Sequence, residues 1–142
     1  MNVSDIMTEK PITVRHDQTL YHALGVMEKV GCRHLPVVSL DKHMIGIITS
    51  HDCHVALNLP YSQRNEWRDI EATRTIKIRE VMTPAPIIVE PHARAAEAAR
   101  LMLSHQISAL PVMRGETLIG IVTSSDILMA FIRTYQPKPS NL

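Results

Sequence analysis

The chain has 142 residues, of which 45% are hydrophobic and 20% charged, and its formal net charge is +1. This balance is typical of one folded domain with a real core and excludes a disordered chain. The near-neutral charge argues against nucleic acid and membrane surfaces as partners, and no apolar run is long enough to span a bilayer. With no signal-like N-terminus, the sequence predicts a cytoplasmic protein.

The first half of the chain predicts regular elements in the order strand, helix, strand, strand, helix. Apolar side chains at i, i+3, i+4 and i+7 indicate a helix with one buried face, with Asp17 or Thr19 as its cap and Gly31 at its end. Two β-rich runs around a polar turn indicate a hairpin. The predicted elements are an extended segment at 12–14, a helix at 19–30, strands at 34–38 and 44–49, and a helix from about residue 50.

The same order recurs in the second half, 75 positions later in the numbering. The predicted elements there include a helix at 93–105, a shortened hairpin turn at 114–117 and a helix at 124–135. After that turn the offset falls to 74, because the second copy has lost one loop residue. The matching phrases are Asp5-Ile6-Met7-Thr8 with Glu80-Val81-Met82-Thr83, Pro11-Ile12-Thr13-Val14 with Pro86-Ile87-Ile88-Val89, and Leu35-Pro36-Val37 with Leu110-Pro111-Val112.

The duplication predicts an α/β fold of two β-α-β-β-α repeats, packed sheet to sheet with pseudo-twofold symmetry. One repeat of this size has a marginal core, so each copy should cover the apolar face of the other. We expect the first repeat at 1–57, a partly helical linker at 58–77, the second repeat at 78–136 and a flexible tail at 137–142. The linker contains the single tryptophan, Trp67, and is a candidate docking surface.

The repeated phrases resemble the cystathionine β-synthase (CBS) domain, and the whole chain resembles a free-standing tandem pair, or Bateman module. The resemblance rests on Leu-Pro-Val followed by Gly-Ile-(Ile/Val)-Thr-Ser-x-Asp in both copies. It implies a regulatory module without enzyme activity that binds an adenosine-containing ligand in clefts between the repeats. AMP, ADP or ATP is the expected ligand, S-adenosylmethionine or NAD an alternative, each as a regulatory ligand and not a cofactor. It also implies a homodimer that signals by conformational change, to a protein partner in trans.

The resemblance assigns ligand contacts to the end of each phrase. Thr49 and Asp52 would serve one site, and Thr123 and Asp126 the other, with aspartate on ribose hydroxyls and threonine near phosphate. A carboxylate only accepts hydrogen bonds, and it suits two adjacent hydroxyl donors. Adenine would lie between apolar strand residues. The adenine-pocket candidates are Ile12, Thr13, Pro36, Ile87 and Pro111.

The two copies differ just before Leu-Pro-Val. The first copy has Arg33 and His34, which match positions that reach phosphate in nucleotide-binding relatives, whereas the second has Ser108 and Ala109. Arginine suits phosphate because its planar fork gives paired donors. We therefore predict unequal sites, with Arg33 and His34 selecting a phosphorylated ligand.

Other interpretations of these residues stay open at the level of sequence. Thr and Asp at a helix start are also ordinary caps, so the chain is alternatively an interaction module with vestigial clefts. His51, Cys53 and His54 suggest a metal site or a hydrolase, but no CxxC or HExxH spacing supports it, and we predict no metal. We expect Cys32 and Cys53 to be free thiols.

Overall fold

The computed structural model describes residues 1–57 and 70–136, and it divides into two compact units. The first-repeat unit is Pro11–Pro86, and the second-repeat unit combines Met1–Lys10 with Ile87–Leu142. Residues 58–69 of the predicted linker, Trp67 among them, and the predicted tail lie outside the described residues. None of the described helices has the length and apolar character that a membrane span needs.

In chain order the elements are β1 (Thr8–Glu9), β2 (Val14–Arg15), α1 (Leu20–Val30), β3 (His34–Val38), β4 (Met44–Thr49), α2 (Ser50–Ala56), α3 (Ile70–Thr75), β5 (Thr83–Pro84), α4 (Ala95–His105), β6 (Ala109–Arg114), β7 (Thr117–Thr123) and α5 (Ser124–Tyr135). Short 3-10 helices at Val3–Asp5 and Ile78–Glu80 precede β1 and β5. The bounds of β3, β4 and α5 are those the sequence predicts. Helix α3 lies within the predicted linker.

The first-repeat unit contains a sheet in the order β2-β3-β4-β5. Strands β2 and β3 run parallel, as expected for strands joined through helix α1, and the other pairs are antiparallel. One face of α1 is buried, and its cap is Thr19, whose Oγ1 accepts from the His22 N–H at 3.3 Å. The helix ends at Gly31 with a left-handed φ of 78°. The predicted helix, with both of its end signals, is confirmed.

The second-repeat unit contains a sheet in the order β1-β7-β6. Val89 adds a single parallel bridge to Val112, the counterpart of the β2–β3 pairing in the first-repeat unit. Helix α4 ends at Gln106, which adopts a left-handed φ of 53° at the position equivalent to Gly31. The two units therefore repeat one design, as the duplicated sequence predicts.

The leading segment of each sequence repeat lies in the unit of the other repeat. Met1–Lys10 belongs to the second-repeat unit, where β1 pairs with β7 and Val3 is fully buried. In the same way β5 pairs with β4, and Ile78 is fully buried in the first-repeat unit. The sequence expectation places the divisions near residues 57 and 78, whereas the compact units divide after Lys10 and after Pro86.

Glycine permits this exchange at one position in each sheet. A Cβ on Gly46 would lie 2.6 Å from Met82 Sδ and 3.0 Å from the Thr83 carbonyl oxygen. A Cβ on Gly120 would lie 2.5 Å from Met7 Sδ, with the Thr8 carbonyl oxygen again at 3.0 Å. The Met-Thr segment of each repeat therefore packs directly on the glycine of the strand that it joins.

Candidate functional site

Thr49 and Asp52 lie where β4 ends and α2 begins. Thr49 is the N-cap, and its Oγ1 accepts a hydrogen bond from the Asp52 N–H at 3.0 Å. Asp52 Oδ2 accepts in return from the Thr49 N–H at 3.0 Å. This reciprocal capping box satisfies two backbone donors that a helix start otherwise leaves unpaired.

Thr123 and Asp126 form the same arrangement between β7 and α5. The Asp126 N–H donates to Thr123 Oγ1 at 3.3 Å, and Asp126 Oδ2 accepts from the Thr123 N–H at 2.8 Å. The Thr123 hydroxyl lies 3.1 Å from the same Oδ2. The spacing of three residues thus places threonine and aspartate together at one corner in each unit.

Capping uses part of the hydrogen-bonding capacity of each carboxylate. In both units Oδ2 is the capping atom, whereas Oδ1 takes part in no hydrogen bond within the described residues. The side chains are partly buried, at intermediate exposure. Because an ionised carboxylate offers about four lone-pair sites, each aspartate can hold its cap and accept from a pair of hydroxyl groups.

Arg33 and His34 lie beside the first corner. His34 is directly opposite Thr49 in the β3–β4 pairing, and the Ser50 N–H donates to the Arg33 carbonyl oxygen at 3.0 Å. Burial lowers the pKa of His34 below its usual 6.5, the Arg33 charge lowers it further, and the Asp52 carboxylate opposes both effects. The imidazole is therefore mainly neutral at pH 7, and the positive charge at this corner comes from Arg33.

The second corner has the same backbone geometry with different side chains. Ala109 is opposite Thr123, and the Ser124 N–H donates to the Ser108 carbonyl oxygen at 2.9 Å. Neither Ser108 nor Ala109 carries a charge. The difference that the sequence shows before Leu-Pro-Val is thus a difference in charge at the strand-to-helix junction itself.

The adenine-pocket candidates occupy varied environments. Pro36 and Pro111 are buried within β3 and β6, Ile87 is half-buried, and Ile12 and Thr13 are exposed just before β2. Each candidate belongs to the same unit as one Thr-x-x-Asp corner. Their role in holding adenine stays a prediction.

A shallow, open groove of about 370 Å³ lies beside α2 in the first-repeat unit. Its lining residues are His51, Asp52, Val55, Ala56, Glu80 and Val81. Sequence reasoning did not select Glu80 and Val81, because they begin the second repeat and reach the groove only through the exchanged segment. The sequence feature that could have indicated them is their alignment with Asp5 and Ile6 in the first repeat.

The cysteines and histidines near α2 show no arrangement for metal binding or nucleophilic catalysis. Within the described residues, no group of three His, Cys, Asp or Glu side chains could hold a metal ion. Burial, with a smaller effect of Asp52, raises the pKa of Cys53 to about 12, and burial also raises the pKa of Cys32. Both thiols are therefore protonated near neutral pH and poor nucleophiles.

The sequence pattern of the CBS domain matches this chain twice, at residues 3–58 and 78–133. A CBS domain-containing protein of Dictyostelium discoideum is 33% identical over 138 residues, which are 96% of this chain and 95% of that protein. The two proteins therefore align over nearly their whole lengths.

Two solved structures with bound ligands have the same fold. The CBS domain pair of protein MJ0100, in complex with 5′-methylthioadenosine and S-adenosyl-L-methionine, superposes with a TM-score of 0.80 at 29% identity, covering 94% of this chain and 98% of that one. CBSX2 of Arabidopsis thaliana, in complex with AMP, gives a TM-score of 0.76 at 26% identity, covering 95% and 98%.

Proposed function

The chain belongs to the CBS domain family as a tandem pair of repeats, and we propose that it is a regulatory module that binds an adenosine-containing ligand. The main support for this proposal is the aspartate at each strand-to-helix corner. Its Oδ2 caps a helix, and its Oδ1 is not used by the cap. Similar pairs hold AMP, 5′-methylthioadenosine and S-adenosyl-L-methionine, which supports an adenosine core in the ligand.

The module acts without catalysis, as a sensor in the cytoplasm. The protonated thiols at Cys32 and Cys53 agree with a binding role rather than a nucleophilic one. Ligand binding shifts the conformation of the repeats, and a protein partner in trans detects that shift. For this to occur, the ligand must bind one conformation more tightly than the other.

A thermal-shift series with AMP, ADP, ATP, NAD and S-adenosylmethionine tests the ligand site. Asp52→Asn and Asp126→Asn are the informative variants, because the amide oxygen still accepts the capping hydrogen bond while the charge is lost. We expect each variant to melt near the wild-type temperature without ligand and to lose the ligand-induced rise at its own site. An unchanged rise in the double variant would refute the assignment.

We further propose that Arg33 makes the site of the first-repeat unit prefer phosphorylated ligands. Arg33 is exposed at the first corner and His34 is neutral there, so we propose that AMP, ADP or ATP binds the first-repeat unit by charge-assisted contacts. Calorimetric titration of Arg33→Ala with AMP and with adenosine is the test. The variant should lose affinity for AMP only, and an unchanged preference would remove this assignment.

An interaction module with vestigial clefts is the second candidate, because the capping boxes explain Thr49, Asp52, Thr123 and Asp126 without any ligand. The same titrations decide between the two. If none of the five ligands raises the melting temperature and none is found by mass spectrometry in the native protein, the interaction module is correct.

We also propose a homodimer. Helix α5 leaves large apolar side chains uncovered, with exposed fractions of 63% for Leu128, 61% for Phe131 and 70% for Tyr135. An exposed apolar stripe of this kind marks an association surface. Sedimentation at micromolar concentration should give twice the 16.0 kDa chain mass, and a monomer would contradict the proposal.

A further inference from the structure

In the first-repeat unit, residues 74–79 run antiparallel to residues 15–21, along the start of helix α1. The Leu20 N–H donates to the Ile76 carbonyl oxygen at 3.0 Å. The Ile78 N–H donates to the Gln18 carbonyl oxygen at 2.8 Å, and the Ile78 side chain is fully buried. This pair of segments is therefore fixed to the unit both by backbone hydrogen bonds and by a core residue.

Four basic side chains lie on these paired segments, and we call them the basic strip. Lys77 is partly exposed and Arg79 is exposed. Among the residues that the structure describes, neither side chain forms an ion pair or a hydrogen bond. The members of the basic strip are Arg15, Arg74, Lys77 and Arg79. Its two unpaired cations are thus available to an external anion.

The other two cations of the strip are held in place by neighbouring side chains. The Arg74 guanidinium lies over the Tyr21 ring, 4.7 Å from its centroid. Arg15 donates through Nε and Nη2 to the two carboxylate oxygens of Asp17, at 3.0 and 3.3 Å, while its side chain stays 53% exposed. Cations that are already ordered lose less conformational entropy when they bind a partner.

The second-repeat unit has the same backbone arrangement without these charges. There the Val3 N–H donates to the Ala93 carbonyl oxygen at 2.8 Å, the counterpart of the bond from Ile78. By the repeat spacing, the counterparts of Arg15, Tyr21, Lys77 and Arg79 are Glu90, Ala96, Asn2 and Ser4. The same local fold therefore forms without a basic strip, so packing does not require these side chains.

We propose that the basic strip is a docking surface for an acidic segment of a protein partner. Carboxylates of such a segment would form charge-assisted hydrogen bonds with Lys77 and with the planar fork of Arg79. Asp17 and Glu80 carry the opposite charge on the same segments, and the whole chain has a net charge of only +1. This positive field is too small for the many phosphate contacts on which nucleic-acid binding depends.

The strip is also continuous with the candidate ligand site. Glu80 Oε2 accepts a hydrogen bond from the Lys77 N–H at 2.8 Å, and Glu80 lines the groove beside α2 together with Val81 and Asp52. A ligand on Asp52 that displaces Glu80 would therefore move the backbone of Lys77. This coupling rests on the proposed function and adds the chemistry by which the partner in trans is recognised.

Fluorescence anisotropy with the full-length chain tests the docking surface. The probe is a short fluorescein-labelled peptide in which glutamate alternates with serine, and its glutamine analogue is the uncharged control. We expect the double variant Lys77→Gln, Arg79→Gln to raise the dissociation constant at least about tenfold. The matched control is Lys29→Gln, Lys42→Gln, which removes the same charge from exposed positions of the same unit and should change the constant less than about twofold.

Three results would overturn the docking surface: no binding of the acidic peptide to the wild type, equal loss of affinity in the two double variants, or equal binding of the glutamine analogue. Tighter binding to duplex DNA or to phosphatidylserine vesicles than to the peptide, lost on changing Lys77 and Arg79, would assign the strip to that partner instead. Because all four substitutions are at exposed or partly exposed positions, we expect both double variants to melt near the wild-type temperature.

The same titration in saturating AMP tests the coupling to the ligand site. A changed peptide affinity supports it, and by linkage the peptide must then change the affinity for AMP by the same factor. An unchanged peptide affinity, with AMP bound, would refute the coupling. If AMP does not bind, the proposed nucleotide site fails, whereas selective loss of peptide binding in Lys77→Gln, Arg79→Gln would still establish the docking surface.

Discussion

The aspartate of each Thr-x-x-Asp motif has a structural role as a helix cap and a candidate role in ligand binding. The two roles use different oxygen atoms of its carboxylate. The cap explains why aspartate stands three residues after threonine at both helix starts, since it completes the capping box. It does not explain why each aspartate is half-buried at a corner where the helix start bonds the Arg33 carbonyl oxygen in one unit and the Ser108 carbonyl oxygen in the other. Substitutions that preserve the cap while changing charge separate the two roles.

His34 makes the stability of the first-repeat unit depend on pH. Its pKa lies below 6.5 in the folded chain because of burial and the Arg33 charge. Above pH 7 the imidazole is neutral in both states and contributes nothing. As pH falls through 6.5, the unfolded chain takes up the proton first, so stability falls until the folded-state pKa is passed.

We therefore expect the melting temperature of the wild type to fall more between pH 8 and pH 5.5 than that of His34→Gln. Because the other histidines are common to both proteins, the difference between the two curves isolates His34. Parallel curves would show that burial at this position does not affect proton uptake.

At the scale of elements, the contacts of Gly46 and Gly120 make these strand glycines necessary. Gly46→Ala and Gly120→Ala should each lower the free energy of unfolding by about 2 kcal/mol, because a methyl group meets a methionine sulfur and a carbonyl oxygen. Gly25→Ala is the control. Its Cβ meets nothing within 4 Å in the middle of α1, and it should stabilise the chain by about 1 kcal/mol. Urea denaturation measures all three.

The ends of α1 and α4 provide a matched pair in the same backbone conformation. Gly31 and Gln106 both have left-handed φ values, of 78° and 53°, and this region strains every residue with a Cβ. Gln106→Gly should stabilise the chain by about 1 kcal/mol, and Gly31→Gln should destabilise it by about the same amount. If both changes shifted the denaturation midpoint in the same direction by the same amount, this explanation would be wrong.

Sequence periodicity predicted these elements closely, because α1, β3, β4 and α5 each combine a strong apolar pattern with a clear end signal such as Thr19 or Gly31. It did not predict β1 and β5. Each is two residues long, too short for a pattern, and each becomes a strand only by pairing with a distant glycine-containing strand. For the same reason, the sequence did not indicate Glu80 and Val81 as candidate site residues, because a groove depends on packing and not on local spacing.

For the molecule as a whole, the exchanged leading segments predict effects at a distance along the chain. Val3 belongs to the core of the second-repeat unit, with Leu110, Val112 and Val122, and Ile78 belongs to the core of the first-repeat unit. Val3→Ala should therefore destabilise β6 and β7 by about 2 kcal/mol, and Ile78→Ala should destabilise β3 and β4 by about 3 kcal/mol.

Hydrogen exchange resolved by segment distinguishes this pattern from the one that sequence order suggests. Faster exchange in β6 and β7 for Val3→Ala, and in β3 and β4 for Ile78→Ala, is the expected result. Each variant is the control for the other. If Val3→Ala instead loosened β3 and β4, the leading segment would be stabilising its own repeat.

The exchange of leading segments between the repeats has consequences for shortened chains and for the origin of the tandem pair. A half-length gene encoding one repeat would make a polypeptide whose sheet lacks its edge strand and whose core lacks one buried aliphatic residue, at the place of Val3 or Ile78. That polypeptide could complete its fold only by taking the leading segment of a sister molecule. Two such molecules, each lending its first ten residues to the other, would regain the edge-strand pairing and the buried residue that each repeat of the present chain takes from the other. Tandem fusion of the gene would then convert a reciprocal exchange between molecules into an exchange within one.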